Sequence, residues 1–152
     1  MALTIIAIGK KHEDWVQMGI ERYQKRLRAP MDVKWVLLPH SSLDGDRARQ
    51  EESERILTKL PDGAQVVLLD ERGLEMDSPA VAQYLETAFV QGKQMVFVIG
   101  GAYGVTEALR ARAALVWSLS PLVFPHQLVR LILTEQLYRA QQIQAGAAYH
   151  HQ

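Results

Sequence analysis

The sequence predicts a single α/β domain over residues 1–152, built on a mostly parallel sheet with helices on both faces. Three features carry this expectation. Short apolar runs, rich in β-branched residues, recur along the chain at Leu3 to Ile8, Val33 to Leu38, Val66 to Leu69, Met95 to Ile99 and Leu115 to Ser118. Segments of helical periodicity lie between them. The runs show little polar alternation, as suits strands buried on both faces, and parallel neighbours need crossover connections that helices usually supply.

The first run ends at Gly9. Val16, Ile20, Tyr23 and Leu27 then recur at helical spacing until Pro30 stops the pattern. After the second run, Ser42 to Leu60 is highly charged and reads as a polar loop followed by a helix from near Asp46, a segment polar enough to be mobile. The third run leads to Ser78-Pro79, an expected N-cap with proline at the first helical position, and that helix closes near Gly92. Gly100-Gly101-Ala102-Tyr103-Gly104 follows the fourth run directly, and Thr106 is placed to cap a short helix before the fifth. A final helix spans about Gln127 to Gln144. It carries Leu128, Leu131, Ile132, Leu133, Leu137, Tyr138 and Ile143 around much of its circumference, so it is either a central core helix or one side of a homodimer contact.

Composition narrows the functional classes. Seventeen Lys and Arg balance seventeen Asp and Glu, so any nucleic-acid contact must be a local patch rather than a global field. The absence of cysteine excludes a disulfide framework and thiolate metal sites and fits a reducing, cytoplasmic setting. Five histidines without a helical His-Glu-x-x-His arrangement give no metal spacing, so no metal is expected. No apolar run approaches the ~20 residues of a membrane span, and the charges after the first run are unlike a secretory leader.

In open α/β sheets ligands bind beyond the carboxyl ends of the strands, which directs attention to the sequences after Leu69, Ile99 and Ser118. The glycines after Ile99 let backbone approach a flat ligand, although a simple tight turn would also use them. They match neither GxGxxG nor GxxxxGK[ST], so the usual dinucleotide and P-loop cradles are missing. Asp70, Glu71 and Arg72 either orient a polar ligand or form a solvated ion pair. Leu119-Ser120-Pro121-Leu122-Val123-Phe124-Pro125 is too apolar for an ordinary exposed loop and too proline-rich for helix or central strand. A rigid loop of this kind suits an adenine ring, which needs flat contact and backbone donors at its edge. His126 stands at the helix entrance, open to a phosphate contact, a titrating role or plain surface exposure. Glu135 and Arg139 are spaced for an intrahelical ion pair, and the tail Tyr149-His150-His151 offers an aromatic surface and titratable rings, or simply frays.

Taken together, LLDERG, FVIGGAYG, WSLSPLVFPHQLVRLILTEQLYRAQQIQAG and YHH resemble, in order and spacing, the motifs of the large-subunit rRNA methyltransferase H family, and a weaker likeness reaches back to AIGK and Trp15. The resemblance implies a SPOUT fold with a C-terminal trefoil knot, an exception to unthreaded topology. It implies a homodimer in which the cofactor of one subunit faces residues of the other. The implied reaction is transfer of a methyl group from S-adenosylmethionine to N3 of a pseudouridine in large-subunit (23S) rRNA on the assembled ribosome.

Position by position, the resemblance makes Leu69, Gly100 and Leu119, Ser120, Pro121, Leu122, Val123 and Phe124 cofactor contacts. It matches Arg130, Glu135, Tyr138 and Arg139 to the polar positions of the final helix, and Tyr149 and His150 to the tail near the acceptor base. Glu135, Arg139, Tyr149 and His150 are accordingly the expected catalytic residues, and His126 and Arg130 the expected RNA contacts. Two positions depart from the family pattern: Ala148 stands where many relatives carry proline, and His151 where some carry arginine or lysine.

Overall fold

The computed structural model describes residues 2–151. Five strands, β1 (Leu3–Ile8), β2 (Val33–Leu38), β3 (Gln65–Glu75), β4 (Met95–Ile99) and β5 (Leu115–Ser118), alternate with five helices, α1 (Asp14–Gln24), α2 (Gly45–Lys59), α3 (Ser78–Val90), α4 (Glu107–Arg112) and α5 (His126–Gln144). The sheet order is β2-β1-β4-β3-β5, and every pair is parallel. All five expected strands and all five expected helices are present.

Period-two alternation in β4 shows how one strand serves two cores. Met95, Phe97 and Ile99 face a cluster with Leu85 of α3 and with Leu133 and Leu137 of α5, whereas Val96 and Val98 face Ile56 of α2 and Leu109 of α4. Each such side chain contributes roughly 2 kcal/mol by leaving water. Helix α5 is packed against both α1 and α3, which explains apolar residues around so much of its surface. The charged segment before β3 is a docked helix: α2 buries Ala48, Glu52, Ser53 and Ile56 along one face.

Three local details differ from expectation. The N-cap of α3 is Asp77, whose carboxylate accepts from the Ala80 N–H at 2.9 Å, so Ser78 is already helical. Helix α5 begins at His126, one residue earlier than its apolar pattern suggested. Strand β3 does not stop at Leu69. It bulges through residues 70–73 and rejoins β5, pairing Leu74 with Trp117 and Glu75 with Ser118.

Gly73 makes that return possible. A Cβ at this position would lie 2.5 Å from the Val116 carbonyl oxygen and 2.9 Å from the Trp117 nitrogen, both backbone atoms that cannot swing aside. Gly73→Ala should therefore destabilise the fold by about 2–3 kcal/mol. Urea denaturation monitored by tryptophan fluorescence measures this, and a change under about 0.5 kcal/mol would show that the strand yields without cost.

Candidate active site

The β3 bulge lifts Asp70, Glu71 and Arg72 above the carboxyl edge of the sheet, where they meet the turn after β4 and the loop after β5. These three segments enclose a cleft of about 330 Å³. Its wall includes Leu69, Ile99, Gly100 to Val105, Leu119, Ser120, Leu122, Val123, Phe124, His126 and Val129. Of the residues expected to hold a cofactor, all but Pro121 line this one cleft.

Each wall has a local cause. The turn after β4 closes through a Gly104 N–H to Gly101 carbonyl bond of 3.1 Å, and Gly104 takes φ +79°, a region that glycine occupies without strain. Gly100 keeps the base open, because a Cβ there would meet Val105 Cγ1 at 2.7 Å. In the loop after β5, the Ser120 hydroxyl accepts from the Leu122 N–H at 3.0 Å, while the Ser120 carbonyl accepts from the Ser118 hydroxyl at 2.9 Å. Two prolines and these two bonds stiffen a loop whose Leu122 and Val123 are 67% and 80% exposed. Flat apolar walls, an open glycine base and a stiff backbone edge suit a planar heterocycle.

Asp70 sits at the rim between two arginines, 2.5 Å from Arg110 Nη2 and 3.3 Å from Arg72 Nη2. Burial alone would raise its carboxyl, but hydrogen bonds from the Arg72 side chain and backbone N–H, and the bond and charge of Arg110, outweigh it and hold the group at about 2. Arg110 carried no signal in the sequence. It lies 40 positions from its partner, and only the fold joins them.

The expected catalytic residues also assemble. Glu135 Oε2 accepts from Arg139 Nη2 at 2.8 Å and from the Tyr149 hydroxyl at 2.9 Å, and Glu135 Oε1 accepts from Gln136 Nε2 at 2.8 Å. The Arg139 guanidinium lies 4.8 Å from the centre of the Tyr149 ring, which packs edge-on against Tyr138. Burial and the bond to Glu135 push the Tyr149 phenol upward, so it remains a donor at neutral pH. His150 Nδ1 is 3.1 Å from Arg139 Nη1. An arginine only donates, so this contact assigns the lone pair to Nδ1 and leaves the proton of a neutral ring on Nε2. His150 and His151 line a second, more open cleft, which shares Leu119 and Phe124 with the first.

The two residues expected at RNA are arranged differently. Arg130 is 1% exposed, and its guanidinium donates to the carbonyls of Ile8 at 2.9 Å, Gly9 at 3.1 Å and Lys11 at 3.1 Å. In this protomer it is an internal tie between α5 and the end of β1, with no free donor directed at solvent. A surface phosphate contact does not describe it, because these carbonyls would lose their partner if it swung out. His126 lines the cleft; burial, then the charge of Arg130, lowers its pKa, so the ring is neutral at pH 7 and lacks the fixed charge of a phosphate clamp. No group of three or more His, Cys, Asp or Glu among the described residues is arranged to hold a metal, and no helix there is long and apolar enough to cross a membrane.

An open parallel sheet with an apolar, glycine-floored cleft at its carboxyl edge and a half-buried polar cluster beside it defines the class: an α/β protein with a ligand cleft beyond its strand ends. The particular family follows from comparison. The family model described as "Predicted SPOUT methyltransferase" matches residues 1–150, and the chain belongs to this family. It is 44% identical to a ribosomal RNA large subunit methyltransferase H of Geotalea daltonii, over 99% of this chain and all of that protein. It is 43% identical to the protein of the same name from a Geobacter species, over the full length of both. Among solved structures, a probable methylase family protein from Haemophilus influenzae superposes with a TM-score of 0.54 at 14% identity, over 99% of this chain and 70% of that one, a likeness of fold.

The Asp70 pair generates a test by pH. Its carboxyl titrates lower in the folded than in the unfolded chain, so its contribution is present above about pH 4 and lost as pH falls toward 2. Allowing for solvent screening at the rim, Asp70→Asn should cost on the order of 1 kcal/mol at pH 7 and almost nothing near pH 2. Denaturant midpoints at both pH values measure the gap; a gap equal at both would show that the ion pair is not its source.

Proposed function

We propose that this protein is an S-adenosylmethionine-dependent methyltransferase acting on N3 of a pseudouridine in large-subunit (23S) rRNA, on the assembled ribosome in the cytoplasm. The observation that carries the reading is the single cleft that gathers Leu69, Gly100, Leu119, Ser120, Leu122, Val123 and Phe124, beside a cluster that gathers Glu135, Arg139, Tyr149 and His150. Membership of a methyltransferase family and full-length relatives named for large-subunit rRNA support it.

In this reading Leu119 to Phe124 wrap the adenine, Leu69 and the Gly100 base contact the rest of the cofactor, and Pro121 acts by stiffening the loop from outside the wall. The bound cofactor supplies a methyl group on a positively charged sulfur, already activated for in-line transfer. The chain's remaining task is to hold the acceptor and favour its anion. N3 of a uracil ring is an imide nitrogen about as acidic as a phenol, with a pKa of ~10.

The hydrogen bonds of the cluster favour stabilising that anion over abstracting its proton. Glu135 already accepts from Arg139, Tyr149 and Gln136, Tyr149 is held protonated, and the Nδ1 lone pair of His150 is directed at Arg139. What remains to face a substrate is the His150 Nε2–H, backed by the Arg139 charge. We therefore assign His150 to hydrogen-bond the developing negative charge on a uracil oxygen, Arg139 to orient and support it, and Glu135 with Tyr149 to fix Arg139. The N3 proton leaves to water.

We further propose a homodimer in which the cofactor of one subunit faces residues of the other, and a C-terminal segment threaded as a trefoil knot. Exposed Trp15 and Met18 on α1, and Leu122 and Val123 at the cleft mouth, favour an assembly that covers them.

Calorimetric titration with S-adenosylmethionine, followed by nucleoside analysis of treated ribosomes and of naked rRNA, tests the whole reading. One site per subunit is expected, lost in Gly100→Val, with N3-methylpseudouridine formed much faster on ribosomes. An unchanged affinity in Gly100→Val, or equal rates on both substrates, would contradict it. For the catalytic assignment, His150→Ala should lower kcat by about 10–100-fold, while His150→Gln, which keeps a donor, recovers most of it. The rate should climb steadily from pH 6 to 8.5, as expected when the N3 proton leaves to water; a bell-shaped profile would show a protein general base at work and overturn the assignment.

A further inference from the structure

One buried group has no place in the chemistry above. Glu52 is only 3% exposed, on the face of α2 that also buries Ala48 and Ile56. Its Oε2 accepts from the Ser41 N–H at 2.9 Å and lies 3.9 Å from His40 Nδ1. Its Oε1 is buried and has no hydrogen-bond partner. Among the described residues no lysine or arginine pairs with this carboxylate, and Arg130 directs its donors to the carbonyls at the end of β1. A carboxylate held this way costs folding free energy, and such a cost is tolerated where the charge serves the site.

Its neighbour shows where the charge acts. The unpartnered Oε1 lies against Gly101, so closely that a Cβ on Gly101 would strike it and would approach the carboxylate carbon to 3.0 Å. Gly101 is part of the cleft wall. Only a glycine backbone therefore separates a buried negative charge from the cleft. The next residue on α2 fixes the turn at its other end, since the Ser53 hydroxyl accepts from the Thr106 N–H at 3.0 Å. Helix α2 thus ties down the far end of the turn after β4 through Ser53 and sets the carboxylate behind its near end.

The other carboxylates of the wall are spent or screened. Asp70 is bonded to Arg72 and Arg110, and Glu71 is exposed to water. Resting on the cofactor reading, we propose that Glu52 is the buried counter-charge of the cleft: a positioning residue that acts across Gly101, without touching the ligand, to favour the cationic methyl donor over its neutral-sulfur product. Shielded from solvent, its field reaches the cleft with a lower effective dielectric than that of water. S-Adenosylmethionine carries a fixed positive charge on sulfur and S-adenosylhomocysteine does not. The same charge that holds the donor then relaxes its hold once the methyl group has left.

Calorimetry of Glu52→Gln with both ligands tests this, because amide and carboxylate are nearly isosteric. Affinity for S-adenosylmethionine should fall about tenfold, and affinity for S-adenosylhomocysteine by less than about threefold. A merely structural role would weaken both alike, so equal losses overturn the proposal, as does no change in either. Should Glu52→Gln fail to fold, Glu52→Asp keeps the charge: its ratio of the two affinities should stay within about threefold of the wild type, and a tenfold shift in that ratio overturns the proposal. Wild-type protein that bound neither ligand would overturn the cofactor reading itself, an outcome distinct from a normal pair of affinities with an unchanged ratio in Glu52→Gln.

Discussion

The carboxyl edge of this sheet is organised around a single buried guanidinium. Arg130 projects from the second turn of α5 and bonds the carbonyls of Ile8, Gly9 and Lys11 just where β1 gives out. Without Arg130 the carbonyls of Ile8 and Gly9 would each lose a buried donor, and that of Lys11 would keep only Gln127 Nε2. The same side chain bonds His12 Nδ1, whose ring packs edge-on against Trp35. One residue thereby joins α5 to the outlying part of the sheet, and the start of α5 is where the apolar loop ends. Gly9 has its own part in this, since at φ +119° it admits Arg130 Nη2 where a Cβ would stand 2.8 Å away. A surface role for Arg130 would give up that closure.

On the other half of the sheet the governing constraint is backbone proximity. The bulge in β3 carries Asp70 to Arg72 out over the sheet and then returns to β5 through a glycine, so the polar rim of the cleft and the pairing of β5 are one feature. If β3 ended at Leu69, the pairs Leu74 with Trp117 and Glu75 with Ser118 would be lost, and Ser118 would have no partner on β3. The loop holding the apolar wall follows directly from Ser118, so its anchor would go with them. The cleft is thus a product of how the last strand is paired, and its chemistry cannot be separated from the stability of that edge.

Much of this was legible in the sequence, and the exceptions have physical reasons. Strands buried on both faces announce themselves as uninterrupted apolar runs, so β1, β2, β4 and β5 were found to the residue. Strand β3 was cut short because its bulge is polar: Asp70, Glu71 and Arg72 follow none of the alternation that marks a strand. Asp77 was missed as a cap because Ser78-Pro79 offered a more familiar signature one residue later. Arg130, expected against RNA, is buried instead, and burial against backbone carbonyls leaves no periodic trace in a sequence. Glu52 did leave one: it is spaced i,i+4 from Ala48 and from Ile56, a carboxylate on the apolar stripe of its helix. The density of charge around it concealed that stripe.

The C-terminal tail shows how order can be obtained where no secondary structure supplies it. From Ala147 to His151 the chain forms no helix or strand, and Ala148 does not restrict the backbone as a proline would. Its position comes from side chains instead: Tyr149 packs edge-on to Tyr138, lies against the Arg139 guanidinium and donates to Glu135, while His150 takes up a further donor of Arg139. Those partners all lie along one face of α5, at i, i+3 and i+4 from Glu135. The helix therefore does for the tail what it does for β1 through Arg130, offering a preformed row of polar groups against which an irregular segment can settle. A tail held by a few such contacts opens more readily than a packed strand. The modest anchoring of Tyr149 and His150 thus follows from the lack of a rigid backbone, with side-chain contacts to α5 supplying what order the segment has.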